Sequence, residues 1–276
     1  MDLYRVIGNP VSHSQSPWIH TRFAALTGQT LQYDKQRVPV DGFVSAGQQF
    51  FAEGGRGCNV TVPFKFEAAA LATQVSDRAQ LAQAANTLTV QNGTVQADNT
   101  DGAGLVNDIQ RNAGFDLAGR RILLIGAGGA SAGVLAPLIQ TQPASITVAN
   151  RTVDKAHALV NRHTALALLQ KTELVAQTLQ GLEGDFDVII NATTSSLSGG
   201  AVPVAASTLK PGALAYDMMY GPAAQGFMTW AREHGAQPRD GLGMLVEQAA
   251  AAFELWRGVR PPAAQVLAEL QALLAR

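Results

Sequence analysis

A chain of 276 residues, 47% of them hydrophobic, is longer than a typical single core requires, so two domains are expected, each with ample apolar side chains. Its formal net charge of -1 gives no electrostatic reason to hold nucleic acid or an anionic membrane, which leaves small, discrete ligands as the expected partners. The single cysteine, Cys58, excludes an intrachain disulfide framework and a cysteine-rich metal site.

The opening "MDLYRVIGNP" has neither a basic leader nor a long apolar run, and later apolar stretches are broken by Gly or polar residues, so a cytoplasmic location is expected. After the short apolar run "YRVIG" comes "SHSQSPWIH". Here Ser16 reads as the N-cap of a helix and Pro17 as its first residue; Trp18, Phe23 and Leu26 form its apolar face and Gly28 closes it. That explains one serine of the three. "LQYDKQRV", a helix near "FVSAGQQFFAEGG", then "GCNVTVP" and "KFEAAALA" continue the rhythm of an α/β unit. In "NTLTVQNGTVQADN" the pair Asn92-Gly93 supplies the two left-handed positions of a hairpin turn.

Beyond Asp101 the pattern changes. A helix "GAGLVNDIQRNAG" leads into "RRILLIGAGGASAGVLAPLI", then "SITVAN", a long helical stretch, "FDVIINAT" and "GALAYDMMY", whose apolar runs suit the buried strands of a parallel sheet. Two helices without a strand, "GMLVEQAAAAFELWRG" and "PPAAQVLAELQALLA", end the chain.

The turn in "ILLIGAGGAS" sets Gly126, Gly128 and Gly129 where a buried strand swings into a helix, so backbone N–H groups can face a pyrophosphate. Ser131 occupies the third glycine position of the dinucleotide fingerprint, and taken alone the turn reads equally as tight packing. The second strand, "SITVAN", ends in Asn150, Arg151, Thr152 and Lys155 instead of an acid. A carboxylate there would bond the free ribose of NAD, whereas Arg151 suits a 2′-phosphate, so NADP is the expected cofactor; a solvated loop arginine is the plainer alternative.

His13, His20, His157, His163 and His234 lack metal-ligand spacing and read as surface or capping groups. Lys65 follows "NVTVPF" at a strand-to-helix junction and Asp101 opens a helix in "DNTDGAG". Taken singly, each has an ordinary reading, as a solvated lysine and an N-cap.

The ordered set "NPVSHSQSP", "GCNVTVPFK", "AANTL", "ADNTDGAG", "GAGGAS", "ANRTVDKA", "INAT", "YDMMY" and "DGLGMLVEQAAAAFELW" resembles shikimate dehydrogenase from Ile7 to Trp256. The resemblance implies an α/β protein of two domains. Residues 1–101 with 238–276 would form the substrate domain, 102–237 a Rossmann-type NADP-binding domain with a parallel sheet, and the active site would lie in the cleft between them. It implies NADPH-dependent reduction of 3-dehydroshikimate to shikimate. Position by position, it implies that Lys65 and Asp101 are the catalytic pair, that Ser14, Ser16, Thr61, Asn86, Tyr220 and Gln248 contact substrate, and that Asn59 lies close by. Asp77, Gly126, Ala127, Gly128, Gly129, Ala130, Asn150, Arg151, Thr152, Lys155, Met218 and Gly241 fall on cofactor positions.

In that frame the serines gain a purpose, because Ser14 and Ser16 can donate to the substrate's carboxylate at the positive end of a helix. Gln15 replaces the leucine of "SLSP" and is expected to point away from the ligand. A carboxylate favours the charged form of a neighbouring lysine, so Lys65 and Asp101 are best taken as one coupled unit that stabilises an alkoxide and shares its proton. Two alternatives stay open: an enzyme of the same fold that also takes quinate or NAD, and a non-catalytic dinucleotide sensor, which would not need Lys65 and Asp101 together. The residues leave a homodimer open.

Overall fold

The computed structural model describes residues 1–193 and 202–275. The chain divides into two compact units: Met1–Gly104 with Leu245–Arg276, and Leu105–Met244.

Unit 1 carries strands β1 (Asp2–Gly8), β2 (Leu31–Arg37), β3 (Gly55–Val60), β4 (Gln74–Val75), β5 (Thr87–Gln91) and β6 (Thr94–Asp98), in the sheet order β2-β1-β3-β5-β6-β4. Helices α1 (Ser16–Thr27), α2 (Phe43–Ala52), α3 (Lys65–Leu71) and α4 (Asp77–Ala82) lie between the strands. β1 pairs in parallel with β2 and β3, β5 runs antiparallel to β3, and β6 antiparallel to β5. The hairpin between β5 and β6 turns on Asn92 and Gly93, both with positive φ (50° and 75°), as their sequence demands. Gly28 ends α1 in the left-handed conformation at φ 67°. One core cluster gathers Ile7, Phe43, Phe50, Val60, Phe64 and Leu88.

The last helices, α9 (Leu242–Arg257) and α10 (Ala263–Leu274), belong largely to this unit. Trp256 stacks on Tyr4 at 4.6 Å and donates its indole N–H to the Leu88 carbonyl at 3.1 Å. That approach explains Gly57, where a Cβ would lie 2.6 Å from the indole nitrogen and 2.7 Å from the same carbonyl. Arg22 on α1 pairs with Glu269 on α10 at 2.5 Å.

Unit 2 holds β7 (Arg121–Ile125), β8 (Ser145–Asn150), β9 (Glu173–Thr178), β10 (Phe186–Asn191), β11 (Leu209–Asp217) and β12 (Gln237–Arg239) in the order β12-β11-β10-β7-β8-β9, every pair parallel. Helices α6 (Gly129–Gln140), α7 (Val153–Leu169) and α8 (Gln225–Glu233) connect them. This is the doubly wound dinucleotide-binding order, with its reversal between β7 and β10. The sequence hides β9 at the end of a long helical pattern, and β4 and β12 are too short to show a period.

The helix expected over 102–114 is α5 (Asp101–Asn107) followed by a π-helical turn, Asp108–Asn112. The wider turn coincides with the inward burial of Asp108, which is fully enclosed. Arg239 clasps its carboxylate with bonds of 2.6 and 2.8 Å, and the Tyr216 hydroxyl and Asn112 amide donate at 2.8 and 2.9 Å. Burial, with Asp108 beside it, pushes the Tyr216 phenol well above its ordinary pKa.

Candidate active site

In unit 1 the antiparallel course of β5 and β6 brings the carboxyl ends of β1, β3 and β6 and the start of β5 to one edge of the sheet. Ser14 and Ser16 follow β1, Thr61 and Lys65 follow β3, Asn86 precedes β5, and Asp101 follows β6. Sequence-distant residues meet there because β1, β3 and β6 run the same way and β5 alone runs against them.

Lys65 opens α3 and Asp101 opens α5; the ammonium Nζ donates to Asp101 Oδ2 at 2.6 Å, with side chains only 13% and 7% exposed. Such a pair needs its remaining oxygen satisfied. Asn86 supplies that bond, from Nδ2 to Asp101 Oδ1 at 2.9 Å, and the same nitrogen faces Thr100 Oγ1 at 2.9 Å and Gln248 Oε1 at 3.1 Å. Gln248 arrives on α9 from the far end of the chain. The Lys65 carbonyl accepts from Ala85 N at 2.8 Å, and the Asp101 amide donates to Asn99 Oδ1 at 3.1 Å, so both residues are anchored by their backbones. Thr61 is held by its amide on the Ile7 carbonyl at 3.0 Å, and its methyl fills the space a side chain at Gly8 would need.

At the serines the structure corrects one expectation. α1 starts at Ser16 with Gln15 as its N-cap residue, and no side chain caps in the usual way. It is Ser14 Oγ that accepts the Ser16 amide, at 3.3 Å, while donating to Ser16 Oγ at 3.1 Å. A serine two residues upstream thus closes the turn in place of the Ser16 hydroxyl.

Two of the histidines also differ from the surface reading. His20 is fully buried, parallel to Tyr33 at 4.3 Å between ring centres, and burial pushes its pKa down to about 3. His163 is likewise enclosed, its Nδ1 2.9 Å from the Leu159 carbonyl. Burial favours the neutral form of both rings. Among the described residues no three His, Cys, Asp or Glu side chains cluster as a metal site, and no helix is long and apolar enough to cross a membrane.

In unit 2 the cofactor candidates gather at the carboxyl ends of the strands. Gly126 leaves β7 at φ 110°, where a Cβ would sit 3.2 Å from the Thr193 methyl and 3.4 Å from the Ala192 carbonyl. Only glycine takes that backbone without strain. Ala127 and Gly128 carry the turn into α6, which begins at Gly129 and Ala130 with no side-chain cap, and nothing lies within 4 Å of where a Gly128 Cβ would be. An open cradle below uncapped N–H groups fits a dinucleotide pyrophosphate. At the end of β8, Asn150 donates to the Thr152 carbonyl at 2.8 Å and shapes the loop that leaves Arg151, Thr152 and Lys155 exposed. Gly241 admits no Cβ because the Met218 carbonyl occupies that space, which keeps Met218 and Gly241 backbone to backbone. Of the remaining candidates, Asp77 is exposed at the start of α4 in unit 1, and Tyr220 is half-buried on unit 2 just before the turn Gly221–Ala224.

Three family models match the chain: the shikimate dehydrogenase substrate binding domain over residues 6–88, shikimate / quinate 5-dehydrogenase over 108–198, and the shikimate 5'-dehydrogenase C-terminal domain over 241–271. A curated relative from Acidovorax sp. (strain JS42), shikimate dehydrogenase (NADP(+)), is 66% identical over 274 residues, covering 99% of this chain and 97% of its own. The chain belongs to the shikimate dehydrogenase family. Among solved structures, an Ael1 enzyme from Pseudomonas putida is 44% identical with a TM-score of 0.88, and 98% of each chain is covered. The shikimate 5-dehydrogenase of Thermus thermophilus, solved with NADP(H) and shikimate, is 28% identical with a TM-score of 0.84 over 99% of both chains.

Thr87, Thr100 and Tyr33 carry no expectation in the sequence, and hydrogen bonds tie them to the candidate site through Asn59 and Asn86. The two threonines sit inside the quoted motifs "AANTL" and "ADNTDGAG", a signal that was available. Tyr33 has no comparable mark.

Proposed function

We propose that this chain catalyses the reversible NADPH-dependent reduction of 3-dehydroshikimate to shikimate. The observation that carries the reading is the enclosed Lys65–Asp101 pair, its second carboxylate oxygen held by Asn86. The turn Gly126–Ala130 with Asn150, Arg151, Thr152, Lys155, Met218 and Gly241 would hold the cofactor, and Asp77 is assigned to it as well. NADPH, when bound, supplies the hydride that reduces the substrate's carbonyl carbon.

The protein's own task is charge and proton placement. Lys65, hydrogen-bonded to Asp101, stabilises negative charge developing on the carbonyl oxygen. The proton that completes the alcohol comes from the coupled pair, and in the oxidation direction it returns there before passing to solvent. Asn86 fixes the Asp101 carboxylate so that Lys65 faces the reacting oxygen, and Thr61, Tyr220 and Gln248 bind the ring hydroxyls. Ser14 and Ser16 donate to the ring carboxylate at the start of α1, where the helix dipole adds to the attraction. Arg151, with Thr152 and Lys155, selects NADP through its 2′-phosphate.

The test offers shikimate or quinate with NADP⁺ or NAD⁺ in all four combinations. Shikimate with NADP⁺ should give by far the highest kcat/KM. Preference for quinate or for NAD⁺ would overturn the assignment.

A further inference from the structure

Asn86 faces a problem of choice. Its amide nitrogen has two hydrogens and three acceptors within reach, Thr100 Oγ1, Asp101 Oδ1 and Gln248 Oε1. What keeps one hydrogen on Asp101 is the placement of the carbonyl end, and Asn86 Oδ1 is pinned by the Thr100 amide at 2.8 Å and the Thr87 hydroxyl at 2.9 Å, with the Thr100 hydroxyl at 3.2 Å.

The Thr87 hydroxyl is in turn oriented. Asn59 Nδ2 donates to Thr87 Oγ1 at 3.2 Å and to the Asn86 carbonyl at 3.3 Å, so the threonine proton is left to point at Asn86. The Asn59 amide cannot flip, because the Asn86 carbonyl only accepts and so must face Nδ2, which leaves Oδ1 to accept from the Tyr33 hydroxyl at 2.7 Å. Donation therefore runs one way, from Tyr33 to Asn59, Thr87, Asn86 and the Asp101 carboxylate, which also receives Lys65. Thr87 is fully buried and Tyr33, Asn59 and Asn86 are 5%, 5% and 3% exposed, so solvent does not compete for these bonds. A one-way chain in a dry site polarises each successive donor.

We infer that Asn59 and Thr87 are positioning residues for the reaction: neither touches the reacting atoms, and together they orient the Asn86 amide that aims the Asp101 carboxylate at Lys65. The inference rests on the function proposed above. Of this chain only Tyr33 touches a carboxylate-binding serine, Ser16, and Thr87 lies beyond Tyr33 and Asn59, so loss of its hydroxyl should appear in turnover and not in affinity.

The test compares steady-state kinetics of wild type, Thr87→Val, Thr87→Ser and Lys65→Ala with shikimate and NADP⁺. Thr87→Val keeps the shape and removes the donor; kcat should fall roughly 5- to 30-fold with the KM for shikimate within about twofold. Thr87→Ser should restore kcat to within about threefold of wild type, since it returns the hydroxyl. If Thr87→Val does not fold, Thr87→Ala carries the same expectation without a second methyl on the strand. Unchanged kcat in a folded Thr87 variant, or a loss that serine does not restore, overturns the inference whenever Lys65→Ala has lost turnover. A Lys65→Ala chain with wild-type turnover would instead overturn the reading of the site itself.

Discussion

Mild acid should destabilise this protein through His20, and the size of the effect follows from its surroundings. The ring is fully buried and stacked on Tyr33, and burial outweighs its contact with Asn59. Burial lowers its pKa from 6.5 to about 3. Below pH 6.5 the unfolded chain takes up a proton that the folded chain refuses, so stability falls with falling pH across the whole interval down to the folded value. The slope is about 1.4 kcal/mol per pH unit, which amounts to roughly 2 kcal/mol between pH 7 and pH 5. Carboxylates titrate mainly below that window, whereas His163, also lowered by burial, adds a dependence of the same sign. His20→Phe keeps an aromatic ring against Tyr33 and removes the titration. Urea unfolding of both proteins at pH 7, 6 and 5 should show the variant losing roughly 2 kcal/mol less than wild type over the range. Parallel losses would refute the reasoning, because His20 would then titrate alike in both states.

Arg151→Ala should cost roughly 1.5–3 kcal/mol of NADP binding and leave NAD binding nearly unchanged, read by fluorescence titration; equal losses would make the residue structural. Ser14→Ala removes both the bond to the Ser16 amide and a proposed carboxylate donor, so it should lower stability by up to about 1 kcal/mol and raise the KM for shikimate. Ser16→Ala keeps that amide bond and should raise KM with a smaller change in melting temperature, the reverse order counting against the assignment. Gly126→Ala should weaken NADP binding and lower stability by roughly 1–3 kcal/mol, because φ 110° is closed to alanine; a wild-type melting curve would contradict the strain.

What could be read from the residues was local. The turn after β7, the Asn92-Gly93 hairpin and the left-handed close of α1 follow from glycine and asparagine at fixed places, and the structure has each of them. Lys65 and Asp101 were each unremarkable alone, 36 positions apart, and gained meaning only as members of a family pattern before the 2.6 Å bond joined them. The rest depends on partners that sequence spacing does not reveal. Asp108 turns inward because Arg239 and Tyr216 wait 131 and 108 positions away. His20 is buried because Tyr33, Phe23, Phe253 and Trp256 surround it, and none of those four rings lies in "SPWIH". The same holds for Tyr33 and Asn59, polar residues whose places are set by tertiary pairing.

The central claim is that Lys65 and Asp101 work as one unit on a bound carbonyl. The most direct measurement is a double-mutant cycle, following NADPH oxidation with saturating 3-dehydroshikimate in wild type, Lys65→Ala, Asp101→Ala and the double variant. Lys65→Ala should lower kcat by roughly 10²-fold or more with KM little changed, and the double variant should be only slightly slower than the worse single variant. Losses that multiply, or a Lys65→Ala enzyme that still turns over like wild type, would contradict the account.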